Sequence, residues 1–80
     1  MSREELLKKV VSIISESLDI EEEKIKEDSR LIEDLDVDSL ELVDLTMDFE
    51  TELEVNIEDS QVENIRTVKD IVNILQEKLN

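Results

Sequence analysis

The sequence predicts an all-α four-helix bundle, with three longer helices, one short third helix and a long first loop. Three observations carry this expectation. Apolar residues recur at three- and four-residue steps in separate stretches, and strict period-two alternation is sustained nowhere. Reciprocal capping pairs stand where the periodic stretches begin. Gly and Pro are both absent, so the boundaries must be read from those caps.

The first helix is expected to start at Ser2, where Ser2 and Glu5 form a capping box. Leu6, Leu7, Val10, Ile13, Ile14 and Leu18 then form one apolar stripe that ends at Asp19. From about Asp19 to Val37 no continuous period survives. Ile20, Ile25, Leu31, Ile32 and Leu35 read as anchors of a long loop, with a helical turn around Glu22–Lys26. The second helix is expected from Ser39 to about Glu54, capped by Asp38 with Glu41. Its buried side reads as Leu42, Val43, Phe49 and Leu53 with Thr46 among them. Glu41, Asp44, Asp48 and Glu52 line the opposite side, and Leu40 and Met47 fall at the border. A short third segment covers about Asp59 to Asn64, with Ile57, Val62 and Ile65 close by. The last helix opens at Thr67 with Asp70 as its partner and buries Val68, Ile71, Val72, Leu75 and Leu79.

Eighty residues are read as one domain, residues 1–80, with a single small core and a thin stability margin. With no Cys, neither a disulfide nor a thiolate metal site can staple it. The longest apolar runs are pairs, so no membrane span or export signal is read, and a cytoplasmic location is expected. The formal net charge is -15, from 24 acids and 9 bases. Thirteen of the acids and none of the bases lie between Leu31 and Ile65. Such a surface repels nucleic-acid phosphates and anionic lipid, and attracts basic patches on protein partners.

The chain has no His, Cys, Tyr or Trp, so Ser39 lacks the usual base and an enzyme is not expected. Asp34, Asp36 and Asp38 fall on the first, third and fifth positions of an EF-hand loop. That pattern then fails, because Ser39 stands where Gly is needed and Leu45 where a bidentate Glu is needed. No metal site is assigned. Weak divalent binding, or an acidic helical adaptor with an unmodified Ser39, stands as the alternative.

The segment Glu33-Asp34-Leu35-Asp36-Val37-Asp38-Ser39-Leu40, at the start of an acidic helix, resembles the acyl carrier protein family, and the resemblance spans essentially the whole chain. It implies a carrier of acyl intermediates, held as thioesters for fatty-acid or related biosynthesis on 4′-phosphopantetheine joined to Ser39. It further implies that Asp38 helps a separate phosphopantetheinyl transferase hold its metal while coenzyme A supplies the arm. Leu40, Glu41, Asp44, Met47, Asp48 and Glu50 match partner-facing positions for acyl-processing synthases with basic docking patches. Val43, Phe49, Ile57, Val62 and Ile65 match the walls of an acyl cavity, and the protein is expected to act as a monomer. The family commonly has Gly at the position of Asp36 and Pro near Glu58. The pathway, whether fatty-acid, polyketide or D-alanyl, stays open at this level.

Overall fold

The computed structural model describes residues 1–79. Among them, helix α1 spans Arg3–Leu18, a 3-10 turn spans Glu22–Lys24, and helices α2, α3 and α4 span Ser39–Leu53, Asp59–Glu63 and Val68–Leu79. Helices α2 and α4 both pack on α1, and α3 packs on α2.

The caps act as the sequence indicates. Ser2 Oγ accepts from the Glu5 N–H at 3.2 Å while the Ser2 N–H donates to Glu5 Oε1 at 3.3 Å. Thr67 and Asp70 exchange the same pair of bonds at the start of α4, at 3.2 and 3.0 Å. A helix begins with N–H groups that have no partner inside it. The long loop supplies partners for α4: the Val68 N–H donates to the Ser29 carbonyl at 3.1 Å and the Lys69 N–H to the Glu27 carbonyl at 2.8 Å. An isolated antiparallel bridge joins Arg30 to Thr67, and the Leu31 N–H reaches the Arg66 carbonyl at 3.0 Å. From the same stretch of the loop, Glu27 accepts from Arg3, which also donates to Gln76, each at 2.9 Å, and so ties α1, the loop and α4 together.

The core joins all three long helices to the loop and includes Leu6, Ile14, Phe49, Val68, Val72 and Leu75. Ile25 and Leu31 anchor the loop as expected, and Val37 is buried with them. Three expectations are corrected. Ile32 is 52% exposed and anchors nothing, because the turn after Leu31 carries it to the outside. Leu79 sits in the last turn of α4 and is exposed at the end of the helix. On α2 the buried face is Leu42, Leu45, Thr46 and Phe49, while Val43 is 43% exposed. Residues 42, 45, 46 and 49 follow the three- and four-residue steps of one helical face, whereas Val43 stands about 100° round from Leu42.

With no Gly to end its helices, the chain places charged residues in the left-handed region: Asp19 at φ 56° and Glu54 at φ 54° close α1 and α2. A Cβ is disfavoured there, and Glu lacks the short polar side chain that lets Asp adapt. Glu54→Gly is therefore expected to stabilise the fold by about 1 kcal/mol, because removing the Cβ outweighs the added freedom of the unfolded chain. Urea denaturation measures this; an unchanged or lowered midpoint would mean that the left-handed cap carries no cost.

Candidate functional site

The centre of the site is the junction between the long loop and α2. Leu31 and Val37 are both buried, and the Val37 N–H donates to the Leu31 carbonyl at 3.0 Å, pinching the intervening turn against the core. Within that turn Asp34 folds back. Its Oδ2 accepts from the Arg30 N–H at 2.8 Å and its Oδ1 lies 3.6 Å from the Arg30 guanidinium. The backbone hydrogen bond, helped by the guanidinium charge, holds the Asp34 carboxyl below the usual carboxylate range. Any stability it lends is present above the ordinary Asp value and is lost as pH falls through its lowered one. Asp36 then takes φ 58°, the left-handed conformation that explains why Gly suits this position.

Asp38 caps α2. Its Oδ1 accepts from the Glu41 N–H at 2.8 Å, and Glu41 Oε1 accepts from the Asp38 N–H at 3.1 Å. This leaves Ser39 as the first residue of α2, exposed at the tip of the turn. Asp34 and Asp38 are thus turned to separate local tasks. Among the described residues no group of three or more acids is gathered to hold a metal ion.

The partner-facing residues divide by what they touch. Leu40 and Met47 are 78% and 55% exposed, and Asp44 is exposed beside them. Glu41 serves the cap. Asp48 accepts a hydrogen bond from the Ser17 hydroxyl of α1. Glu50 is half-buried and its Oε2 accepts from the Ile57 N–H at 2.9 Å, closing the connection that leads to α3. Glu50 therefore has a structural task that its place in the acid pattern does not reveal.

Of the expected cavity residues, Val43, Ile57 and Val62 come together in a groove of about 320 Å³ between α2 and α3, with Thr46, Met47 and Glu50. Phe49 and Ile65 do not line it. They are packed in the core, Phe49 with no exposed surface. Phe49 is expected as a wall from the family resemblance alone; the groove belongs to Val43 because that residue sits at the rim. Thr46 is missed as a lining residue, since its place among buried apolar positions signals core alone. Its hydroxyl donates to the Val43 carbonyl at 2.7 Å, so its polarity is satisfied within the helix.

Known proteins resemble this chain along nearly its whole length. The family described as a phosphopantetheine attachment site matches residues 8–75. An acyl carrier protein of Thermotoga maritima is 53% identical over 78 residues, covering 98% of this chain and 96% of its own length. One from Petrotoga mobilis is 51% identical over 80 residues, covering 100% and 94%. A crystal structure of an acyl carrier protein from Thermotoga maritima superposes with a TM-score of 0.85. It shares 39% of its sequence and covers 99% of this chain and 92% of its own.

Proposed function

The chain belongs to the acyl carrier protein family, and from that premise we propose that Ser39 is the residue to which its arm is attached. The protein carries acyl groups for acyl-chain biosynthesis, fatty acids being the usual cargo of the family, on covalently attached 4′-phosphopantetheine. When attached, that group supplies the thiol this Cys-free chain lacks and holds the cargo as a thioester. Carriers of this kind are acted upon by acyl-processing enzymes and by a phosphopantetheinyl transferase. The comparisons give no support to an adaptor or cation-binding module with an unmodified serine.

The observation behind Ser39 is its position: an exposed hydroxyl on the first residue of a helix, immediately after a cap. The other serines are less suited. Ser2 caps α1, Ser15 and Ser17 donate to Ile20 and Asp48, Ser12 is half-buried and Ser29 buried. Ser60, though exposed, lies in the five-residue α3 and outside residues 33–40, which carry the attachment motif. Backbone N–H groups in the first turn of α2 favour a phosphodiester on Ser39 Oγ by about 0.3–1 kcal/mol. Asp36, Asp38 and Glu41 oppose it with like charge, worth about 1 kcal/mol at 4 Å in water. The helix end is too weak against these charges to pin the group, so the serine holds the arm by its covalent bond. Asp38 directly precedes Ser39, and the cap bond engages only its Oδ1, suiting it to help the transferase's metal.

Leu40, Glu41, Asp44, Met47, Asp48 and Glu50 are read as the docking face for basic patches on those enzymes, a role supported by the 13 acids and no base between Leu31 and Ile65. The α2–α3 groove is read as the acyl site, with Val43, Ile57 and Val62 as its apolar walls. Self-repulsion at a net charge of -15 supports a monomer in the cytoplasm, away from anionic lipid. One contiguous hydrophobic cluster supports reading residues 1–80 as one carrier unit. Loading the protein with a transferase and coenzyme A, then fragmenting its peptides in a mass spectrometer, tests the attachment point. The phosphopantetheine is expected on the peptide bearing Ser39, and its appearance on another serine would contradict the assignment.

A further inference from the structure

Helix α3 is lightly held. It spans five residues, none of them buried, and it packs on α2. Much of its hydrogen bonding is satisfied within its own segment: the Glu58 N–H donates to Gln61 Oε1 at 3.1 Å, and the Asn64 side chain donates to the Ser60 carbonyl at 3.0 Å. The far end is held by buried Ile65 and by the Leu31 N–H on the Arg66 carbonyl. At the near end, the described residues show one hydrogen bond between α2 and residues 56–65, from the Ile57 N–H to Glu50 Oε2 at 2.9 Å. Glu50 also closes α2, since its carbonyl accepts from the N–H groups of Glu54 and, at 3.2 Å, Val55. One residue thus holds three N–H groups of the connection from α2 to α3. None of the ion pairs among the described residues involves its carboxylate.

Glu50 and Ile57 both line the α2–α3 groove. We propose that Glu50 is a positioning residue for the acyl chain: by holding the Ile57 N–H it fixes the α3 side of the groove and so sets the shape that the chain enters. The inference rests on the reading of this groove as the acyl site. A hydrogen bond to an ionised carboxylate is about twice as strong as one between neutral groups. Ile57 is β-branched, so fixing its backbone leaves its side chain few choices. An alkyl chain gains most from walls already in place, because a wall that must be ordered on binding takes back part of the gain. With no buried residue in α3 itself, this bond and the buried Ile57 and Ile65 are what keep that wall in place.

This role needs an acceptor at the reach of Glu50, whereas docking on a basic patch needs its charge, so substitutions separate the two. Parent, Glu50→Gln, Glu50→Ala and Glu50→Asp proteins are loaded by a broad-specificity phosphopantetheinyl transferase with either coenzyme A or octanoyl-coenzyme A. Intact mass verifies complete loading, and the thermal midpoints of the two forms are compared. The octanoyl form of the parent is expected to melt about 5 °C or more above the form with a free arm, because an alkyl chain bound only by the folded state stabilises it. Glu50→Gln keeps an acceptor oxygen and is expected to keep that rise. Glu50→Ala lacks the acceptor and Glu50→Asp holds the charge too short of Ile57, so both are expected to lose about half of the rise or more. A merely structural role would lower both forms together and leave their difference unchanged. Glu50→Asp keeps the test sound should Glu50→Ala fold poorly. An undiminished rise in Glu50→Ala and Glu50→Asp, or a loss in Glu50→Gln as large as theirs, would overturn the proposal while leaving the acyl groove intact. No rise in the parent would overturn the reading of the groove, and the proposal with it.

Discussion

Phe49→Ala is expected to remove about 3–5 kcal/mol of folding stability, the largest loss of any single truncation in this chain. Phe49 is the one aromatic residue, it has no exposed surface, and it lies at the centre of the α2 face that meets the rest of the core. Truncation removes the transfer free energy of the ring and leaves a void that three long helices cannot all close. A domain of this size has roughly 4–12 kcal/mol in total, so the variant should be marginally folded at room temperature. Val43→Ala is the informative partner. Val43 is half-exposed at the groove, so its truncation should cost less than about 1 kcal/mol. Urea denaturation followed by helical circular dichroism measures both. A loss at Phe49 no larger than that at Val43 would mean that the ring borders an open cavity, as the family resemblance implies.

The second large effect is expected from salt. Between Leu31 and Ile65 the chain carries 13 acids and no base, and that stretch contains α2, α3 and the turn before Ser39. The described helices add to the strain. Neither α1 nor α2 has a basic residue in its last turn, and Asp19 and Glu54 place carboxylates at the negative ends of their dipoles. The ion pairs that could offset this are few and partly solvated: Arg3 with Glu27, and Arg30 with Glu33 and Asp34. Screening should therefore recover about 1–2 kcal/mol, which corresponds to a thermal midpoint raised by roughly 5–15 °C in added magnesium chloride. Because no acid trio is gathered among the described residues, sodium chloride at matched ionic strength should reproduce most of the rise. A midpoint unmoved by either salt would remove charge repulsion from the account. A rise with magnesium alone would point to a bound ion.

The parts of this fold legible in the sequence are those set by local chemistry. Ser2 with Glu5, Asp38 with Glu41 and Thr67 with Asp70 each mark a helix start, because the pairing needs only residues three apart. The helical turn within the long loop and the break at Asp19 are legible for the same reason. What escapes is decided by tertiary contact. Leu45 belongs to the core and Val43 to the groove, yet both are apolar residues of α2. Their division depends on where α1 and α3 lie. Arg3 bridges to Glu27 and Gln76, partners far away in sequence, so no local pattern announces it. Glu50 reads as one more surface acid until its bond to the Ile57 N–H is seen. At the candidate site the attachment serine is legible from its motif and cap. The lining of the groove is only half legible: Val43, Thr46, Met47 and Glu50 share one helical face by their spacing, but only the place of α3 makes that face a groove wall.

The central claim is that this protein receives its arm on Ser39, and the most direct measurement is intact mass. Parent and Ser39→Ala proteins would be weighed before and after incubation with coenzyme A and a broad-specificity phosphopantetheinyl transferase. The account predicts a gain of one phosphopantetheine in the parent and none in Ser39→Ala, with both proteins equally helical. A folded, previously unmodified parent that gains no mass, or a Ser39→Ala variant that gains as much as the parent, would contradict it.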